Sequence, residues 1–460
     1  MRSKWIKRAV CAAVAAGAMT PMVSSADELA ELKARVAELE RQQNQTWLSE
    51  RQAQEVKSLI AETLQDADTR ASLLADDMTA GWKKKFFLQS GDGAFSMTFG
   101  GQLQFRYVLE AQTDSTSGDD TDSGFQLRRT KLKIEGNVYD DWGYEIVFSG
   151  DREDGSVGIE DFVIERKLGE VTIKVGKFKL PFLREELLSS SRQLAVDRSI
   201  STEFFTLDRS EQIQVSYGAE SFKVMISLSD GLDEEFSDGT NGDAGSGDPV
   251  EIAITGRVDF KVFGDWGQMK DFVAWLSDED AGLFIGLAVH FQSGDGNNPD
   301  NSSEAEADYI AWTIDALFES SGFSVMAAYI GGSVIVDDGA TIDSGTGDRD
   351  PMAFLVQAGY MVTEKIQPFV RYDFIDPDFA GTENLQALTF GLNYFIEKHK
   401  VKLTGDVVWV FAGDLSPAGV DDNFDFGNDA FSSGLGFSGG NENAEDDSIF
   451  VVRLQLQVLF

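Results

Sequence analysis

From Phe450 to the end of the chain every even position is apolar (Phe450, Val452, Leu454, Leu456, Val458, Phe460), while the odd positions include Arg453, Gln455 and Gln457. A period of two puts the oily side chains on one face and the hydrogen-bonding groups on the other, which predicts a strand. Alternating segments of this kind recur from residue 97 to 460, divided by Gly, Asp, Asn and Ser clusters, and predict sixteen strands. Their connections sort by parity. Tight turns such as Asp140-Asp141, Leu168-Gly169 and Glu397-Lys398 alternate with long polar loops at 110–123, 179–210, 230–249, 293–306, 334–351 and 413–445. Brief loops at 151–155 and 376–383 and a longer turn at 264–280 depart from the rule. A soluble sandwich has no reason to alternate short and long connections, whereas an up-and-down barrel inserted from one side does. Closure is required if the oily faces meet lipid, because an unpaired strand edge cannot sit in hydrocarbon.

Upstream the period changes. Asp27 to Thr79 contains no Gly or Pro, and Leu29, Leu32, Val36 and Leu39 follow a three-four-three spacing that Val56, Leu59, Ile60 and Leu64 resume. So narrow a stripe predicts a helix buried against copies of itself, a short coiled coil; an unpartnered linker helix is the plainer reading. Before it stand four basic residues (Arg2, Lys4, Lys7, Arg8), an Ala-rich apolar run to Met19 and the small-residue site Ser24-Ser25-Ala26, together a secretory signal. The expected division is a signal peptide at 1–26, a periplasmic coiled-coil helix at 27–80 and an outer-membrane β-barrel at 81–460. The expected fold class is all-β: a 16-stranded antiparallel transmembrane β-barrel preceded by an N-terminal α-helical coiled coil.

Composition narrows the partners. No apolar run approaches the roughly 18 residues of a spanning helix. The one cysteine, Cys11, lies in the leader, so disulfides do not hold the exported chain together. A net charge of -39 disfavours nucleic acid and an anionic bilayer surface as partners. Tyr107, Trp142, Tyr144, Tyr217, Trp312, Tyr329, Tyr360, Tyr394 and Trp409 fall at or near predicted strand ends, the pattern of an interfacial aromatic girdle.

Three stretches carry a more specific likeness: G-G-Q-L-Q-F-R at Gly100 to Arg106, F-Q-L-R-R-T-K-L-K-I-E-G-N-V-Y-D-D-W-G-Y at Phe125 to Tyr144, and V-G-K-F-K-L-P-F-L-R-E-E-L-L-S-S-S-R-Q-L-A-V-D-R-S-I-S-T-E-F-F at Val175 to Phe205. In order and spacing they resemble the first strands, and the loop after the V-G-x-F-K strand, of the phosphate-selective porin O and P family. The resemblance runs strongly to about residue 230 and loosely beyond. It implies a homotrimer of sixteen-stranded outer-membrane barrels with an arginine and lysine path for anions.

Taking the face opposite the oily one as lumenal gives Arg106, Arg129, Lys131, Lys133, Lys174, Arg257, Lys261, Arg371, Lys402 and Arg453 as candidate pore-lining, anion-binding residues. The plainer reading pairs each of them with Glu110, Glu135, Asp259, Asp373, Asp406 or another lumenal acid and makes them braces. The loop 179–210 is oily (Phe182, Leu183, Leu187, Leu188, Leu194, Phe204, Phe205), so it needs a surface to pack on and is expected to fold into the barrel. Arg184, Arg192, Arg198 and Arg209 then become constriction candidates. Packing at a subunit interface is the alternative for this loop.

Runs such as Asp233-Glu234-Glu235 and Asp-Gly-Asn-Asn-Pro-Asp at 295–300 are candidate holders of divalent cations, although acidic runs are more often a solvated face. No other cofactor is implied. His290 and His399 stand about a hundred residues apart, no G-x-S-x-G occurs, and no Ser, His and carboxylate are singled out for hydrolysis, so an enzyme is not expected. The expected function is passive diffusion of small hydrophilic solutes through an outer-membrane porin, anions and phosphate first among them by resemblance. The alternative is a structural tether, its coiled coil spacing the membrane from the cell wall and its barrel conducting little.

Overall fold

A computed structural model of the chain describes residues 33–37, 78–112, 120–139, 141–150, 155–231, 250–277, 280–294, 307–336, 348–378, 384–412 and 449–460. The chain divides into two units, Met1–Asp77 and Met78–Phe460. In the first unit the described residues 33–37 are helical and exposed. The leader and the rest of the expected coiled coil lie outside the described residues, so five exposed helical residues give that expectation no support. One boundary is corrected. The helix expected to reach Thr79 has given way by Met78 to a strand, Met78–Lys83, which pairs antiparallel with Lys85–Ser90.

The second unit begins with a hairpin, β1 (Met78–Lys83) and β2 (Lys85–Ser90). Sixteen further strands follow: β3 (Phe95–Gln112), β4 (Asp120–Val138), β5 (Trp142–Gly150), β6 (Val157–Leu168), β7 (Val171–Lys179), β8 (Arg209–Gly218), β9 (Phe222–Ser229), β10 (Val250–Phe263), β11 (Gly282–Gly294), β12 (Ala307–Ser320), β13 (Phe323–Val336), β14 (Met352–Tyr360), β15 (Ile366–Asp376), β16 (Leu385–Glu397), β17 (Val401–Ala412) and β18 (Ile449–Leu459). From β3 to β18 each pairs antiparallel with its successor, and β18 returns to β3 from Ile449↔Gln112 to Leu459↔Gln102, closing the barrel. Short turns gather at one end; at the β12–β13 turn Ser321 and Gly322 both take positive φ, which matches the twist of a two-residue hairpin.

Along β18 the residues Phe450, Val452, Leu454 and Leu456 are exposed, while Val451, Arg453, Gln455 and Gln457 between them are buried. The same outward rows of Leu, Ile, Val and aromatic residues run round the wall. Exposed apolar surface on that scale belongs in hydrocarbon, not in water. Inside, the wall is not uniform. From β10 to β16 the inward positions include the small residues Ala253, Ala288, Ala311, Ala328, Ala353 and Ala387, all buried. They leave room for large side chains arriving from elsewhere in the chain.

Closure has a specific seat. β18 ends opposite Gly101, whose N–H donates to the Phe460 carbonyl at 2.9 Å and whose carbonyl accepts from the Phe460 N–H at 3.2 Å. Beyond that point β2 takes over as the partner of β3, from Phe86↔Phe99 to Gln89↔Ser96, so the β3 edge stays paired. A Cβ on Gly101 would fall 2.3 Å from the Phe460 ring and 2.9 Å from the Lys131 carbonyl. We expect Gly101→Val to destabilise the barrel by about 1–3 kcal/mol through overpacking at this seam. Folded and unfolded bands in heat-dependent gel migration measure it; unchanged melting behaviour would count against the seam.

Candidate functional site

The chain between β7 and β8 folds into the barrel. It carries two short helices, α1 (Arg184–Leu187) and α2 (Ile200–Phe204), the second capped by the Ser199 hydroxyl, which accepts from the Thr202 N–H. Leu180, Phe182, Leu194, Ile200, Phe204 and Phe205 are buried in one cluster with Phe284, Ala311, Ala353, Leu355, Ala387, Val408 and Val451 of the wall. The loop's oil therefore packs on the small-residue half of the barrel, between β10 and β18. The subunit-interface alternative has no place for these side chains.

A loop inside a barrel must still satisfy its backbone and its charges. The wall provides both. Lys402 Nζ donates to the Gln193 carbonyl at 3.0 Å, Asn393 Nδ2 to the Leu194 carbonyl at 2.8 Å, Gln457 Nε2 to the Ser191 carbonyl at 3.0 Å and Arg257 Nη1 to the Phe182 carbonyl at 2.6 Å. The Val196 N–H donates to Asp406, which Arg453 holds through two contacts of 2.8 Å, and the Ser201 N–H and hydroxyl donate to Asp373. Arg184 enters from the loop to meet Asp315 and Asp259, with Arg257 on the same two carboxylates. That cluster fits because the neighbouring wall residue is Gly286: a Cβ there would come within 2.1 Å of Arg257 Nη2. Glu185 accepts from Arg371 at 2.9 Å and from the Ser199 and Thr202 hydroxyls at 2.6 Å.

The centre of this set is Asp197. Its carboxylate contacts Arg106 at 2.7 Å and both Arg128 and Arg129 at 2.8 Å, and its carbonyl accepts from Arg371 at 3.1 Å. Burial works against the charged carboxylate, but the three guanidinium groups outweigh it and hold Asp197 well below the usual carboxylate range. Arg128 was not among the residues expected in the lumen, because simple alternation turns it outward. A bulge changes this. The β3–β4 register shifts between Gln104↔Arg129 and Phe105↔Leu127, so Arg128 is the extra residue and both arginines face inward.

The other half of the barrel stays open. A cavity of about 1500 Å³ runs along β4, β5 and β6, bordered by Asn137 and Gly143 near the short-turn end and by Gly150 and Ser156 at the other. Its lining holds ten basic residues (Lys85, Arg128, Arg129, Lys131, Lys133, Lys174, Lys179, Arg192, Arg198, Arg209) and seven acidic ones (Glu135, Glu145, Glu160, Asp161, Glu165, Glu203, Asp208). Lys131 pairs with Glu160; Lys133 lies 2.8 Å from Glu145 and 2.9 Å from Glu135, and Lys174 lies 3.7 Å from Glu165. Arg209 bonds Asp161 at 2.7 Å, and Arg198 lies 3.6 Å from Glu203.

All the candidates but Lys261 separate into two groups. Arg129, Lys131, Lys133, Lys174, Arg192, Arg198 and Arg209 border the cavity. Arg106, Arg184, Arg257, Arg371, Lys402 and Arg453 are almost fully buried between loop and wall, where they tie down carboxylates and carbonyls; for these the bracing reading replaces solute contact. Lys261 sits at the short-turn rim, 5.6 Å from the Trp266 ring centre. Lys85 of the β1–β2 hairpin and Lys179 border the cavity without having been expected there. Among the described residues no group of three or more His, Cys, Asp or Glu is placed to hold a metal ion; the acidic runs at 233–235 and 295–300 lie outside the described residues.

A closed sixteen-stranded barrel with an oily outer wall, an inserted loop and a charged water path is a porin-type outer-membrane channel fold. The chain belongs to the phosphate-selective porin O and P family, whose sequence profile matches residues 97–437. A protein of Aquifex aeolicus (strain VF5), described as uncharacterized, is 22% identical over 254 residues, 52% of this chain and 60% of that one. The anion-selective porin from Comamonas acidovorans superposes with a TM-score of 0.53 at 14% identity, over 80% of this chain and 100% of that one. The outer membrane channel DcaP of Acinetobacter baumannii gives a TM-score of 0.50 at 15% identity, over 83% and 100%. At these identities the likeness to solved structures concerns the fold.

Asp197→Asn would leave three guanidinium groups facing one neutral amide. We expect it to cost about 3–5 kcal/mol, the usual penalty for breaking a buried ion pair from one side. The folded carboxyl titrates below its unfolded value near 3.9, so this contribution is present above that value and lost as the pH falls through the folded one. Thermal unfolding in detergent at neutral and at strongly acid pH measures the gap between wild type and variant; a gap that stayed constant into acid would contradict the clamp.

Proposed function

We propose that this porin passes small hydrophilic solutes by passive diffusion and favours anions, inorganic phosphate being the first to test, and that it works as a homotrimer embedded in outer-membrane lipid. The observation that carries the reading is the sign of the lining: ten basic against seven acidic residues border the cavity of a chain whose net charge is -39. An anion leaving bulk water exchanges part of its hydration for Arg and Lys donors along β4. Because each donor also has a carboxylate partner, binding stays weak enough for exit. Arg128, Arg129, Lys131 and Lys133 of β4 all border the cavity. The tether reading is not favoured, because a barrel used only as an anchor needs no charged cavity along the length of three strands.

The test is the reversal potential of the purified protein across a planar bilayer in a salt gradient. For wild type we expect anion selectivity that weakens as ionic strength rises, since exposed charges are screened beyond about 3 Å at 1 M salt. Changing Arg129, Lys131 and Lys133 together to Gln leaves seven basic and seven acidic lining residues; selectivity should then fall to that set by ion mobility alone, and competition by added phosphate should vanish with it. A cation-selective wild-type channel, indifferent to the triple change, would defeat the anion reading.

A further inference from the structure

The inserted loop does not stop at mid-barrel. At Arg192 it reaches the short-turn end, where it meets the β10–β11 turn and the β16–β17 turn. Arg192 Nη1 lies 2.9 Å, and His399 Nε2 3.2 Å, from the same oxygen, Asp271 Oδ2. The His399 side chain is 7% exposed, with the rings of Trp275 and Phe395 set edge-on at 5.6 and 5.5 Å. Neither ring nitrogen makes an aligned hydrogen bond. An imidazole buried in that way and facing a carboxylate has a use for a second proton. The charged groups around it come from four elements: Arg192 from the loop, Asp271 from the β10–β11 turn, Lys398 from the β16–β17 turn, which lies over Trp275 at 4.8 Å, and Lys402 from β17, which holds the Gln193 carbonyl.

We propose that His399 is a proton-operated release for Arg192, and through it for the tip of the constriction loop; the inference rests on the reading of this chain as a channel. With His399 neutral, Arg192 is the one cation on Asp271 Oδ2 and the loop tip is docked. With His399 protonated, imidazolium and guanidinium compete for one oxygen while the Lys402 ammonium stands beside both, and repulsion among the three cations weakens the hold on Arg192. Arg192 is the member that can leave: its side chain is 40% exposed and borders the cavity, whereas His399 and Lys402 are fixed by packing. The docked arrangement binds the proton more weakly than the released one, so by linkage protons favour release. The docked state agrees in direction: burial lowers the His399 pKa below 6.5, Lys402 and Arg192 add to the lowering, and Asp271 opposes it. The change therefore falls on the acid side of neutrality. It frees a guanidinium into the lumen and loosens Ser191, whose carbonyl Gln457 holds.

The mature chain has no cysteine, so a single thiol reports the loop tip. We would place it by Ser191→Cys in the full-length exported protein, with Ser149→Cys, also bordering the cavity, as the reference for pH effects on the reagent. The ratio of maleimide labelling rates, Ser191→Cys over Ser149→Cys, should rise by about tenfold between about pH 7.5 and about pH 5, the shift that one unit of difference in proton affinity gives. With His399→Gln the ratio should stay low at both. With Asp271→Asn, where neither partner holds Arg192, it should be high at both. A ratio that does not move in wild type, or that moves equally in His399→Gln, overturns the proposal. Labelling does not depend on conductance, so a failure of the channel reading, seen as absent current in the bilayer, is told apart from a failure of the release.

Discussion

One carboxylate decides how the lumen is divided. Asp197 is carried into the barrel by a loop whose oil must be buried, and three arginines of β3 and β4 converge on it. Neither side is viable alone. Three guanidinium groups facing one another in a low-dielectric pocket would repel, and a lone buried carboxylate would take up a proton. Together they stitch the loop to the wall opposite the one it packs on, so the loop spans the barrel and leaves one channel instead of an open bore.

The two halves of the wall are written in different chemistry for this reason. Between β10 and β16 the buried inward positions are mostly small or apolar, among them Ala253, Ala288, Met326, Ile330, Leu355 and Phe369, with occasional paired charges, which is a surface for packing. Between β3 and β8 they are Gln, Lys, Arg, Glu and Ser, which is a surface for water. The charges under the loop, such as the Arg184, Arg257, Asp259 and Asp315 cluster, are balanced in place. Those along the channel carry an excess of cations. A buried, balanced cluster fixes structure, whereas a solvated and unbalanced one acts on whatever passes.

Much of this was legible in the sequence, and the misses have definite causes. Strand period, loop parity and the oil of residues 180–205 pointed to a closed barrel with an inserted loop. Alternation alone cannot tell a lumenal arginine that lines water from one that lies under a loop, which is why Arg257, Arg371 and Arg453 were grouped with Arg129. The missing information was the apolar character of both faces in β13 and β14, where Met326, Ala328, Ile330, Ala353 and Leu355 are inward and buried. Arg128 was lost to the bulge, yet it left a signal: strict alternation would place a guanidinium on the lipid face, at about 2–4 kcal/mol near the bilayer midplane, and a break in register avoids that. The β1–β2 hairpin was hidden by its position after a helical pattern and by the shortness of its strands.

The acidity of the chain and the basicity of the channel can coexist because they act at different ranges. The connections at 230–249, 293–306 and 413–445 join strand ends on the side from which the loop enters, and they contain only Asp and Glu as charged residues. Any charge in open solvent is screened beyond roughly 8 Å at physiological ionic strength, so the repulsion of an approaching anion by a solvated acid fades over a few water diameters. Inside the barrel the walls have a low dielectric, so at the same salt Arg128, Arg129, Lys131 and Lys133 are screened less than charges in open solvent. On the proposed reading, acidic connections therefore slow the arrival of anions without reversing a preference set inside. On that reading too, the excess of guanidinium and ammonium groups along β4, and not the acidity of the connections, sets which ion completes the passage.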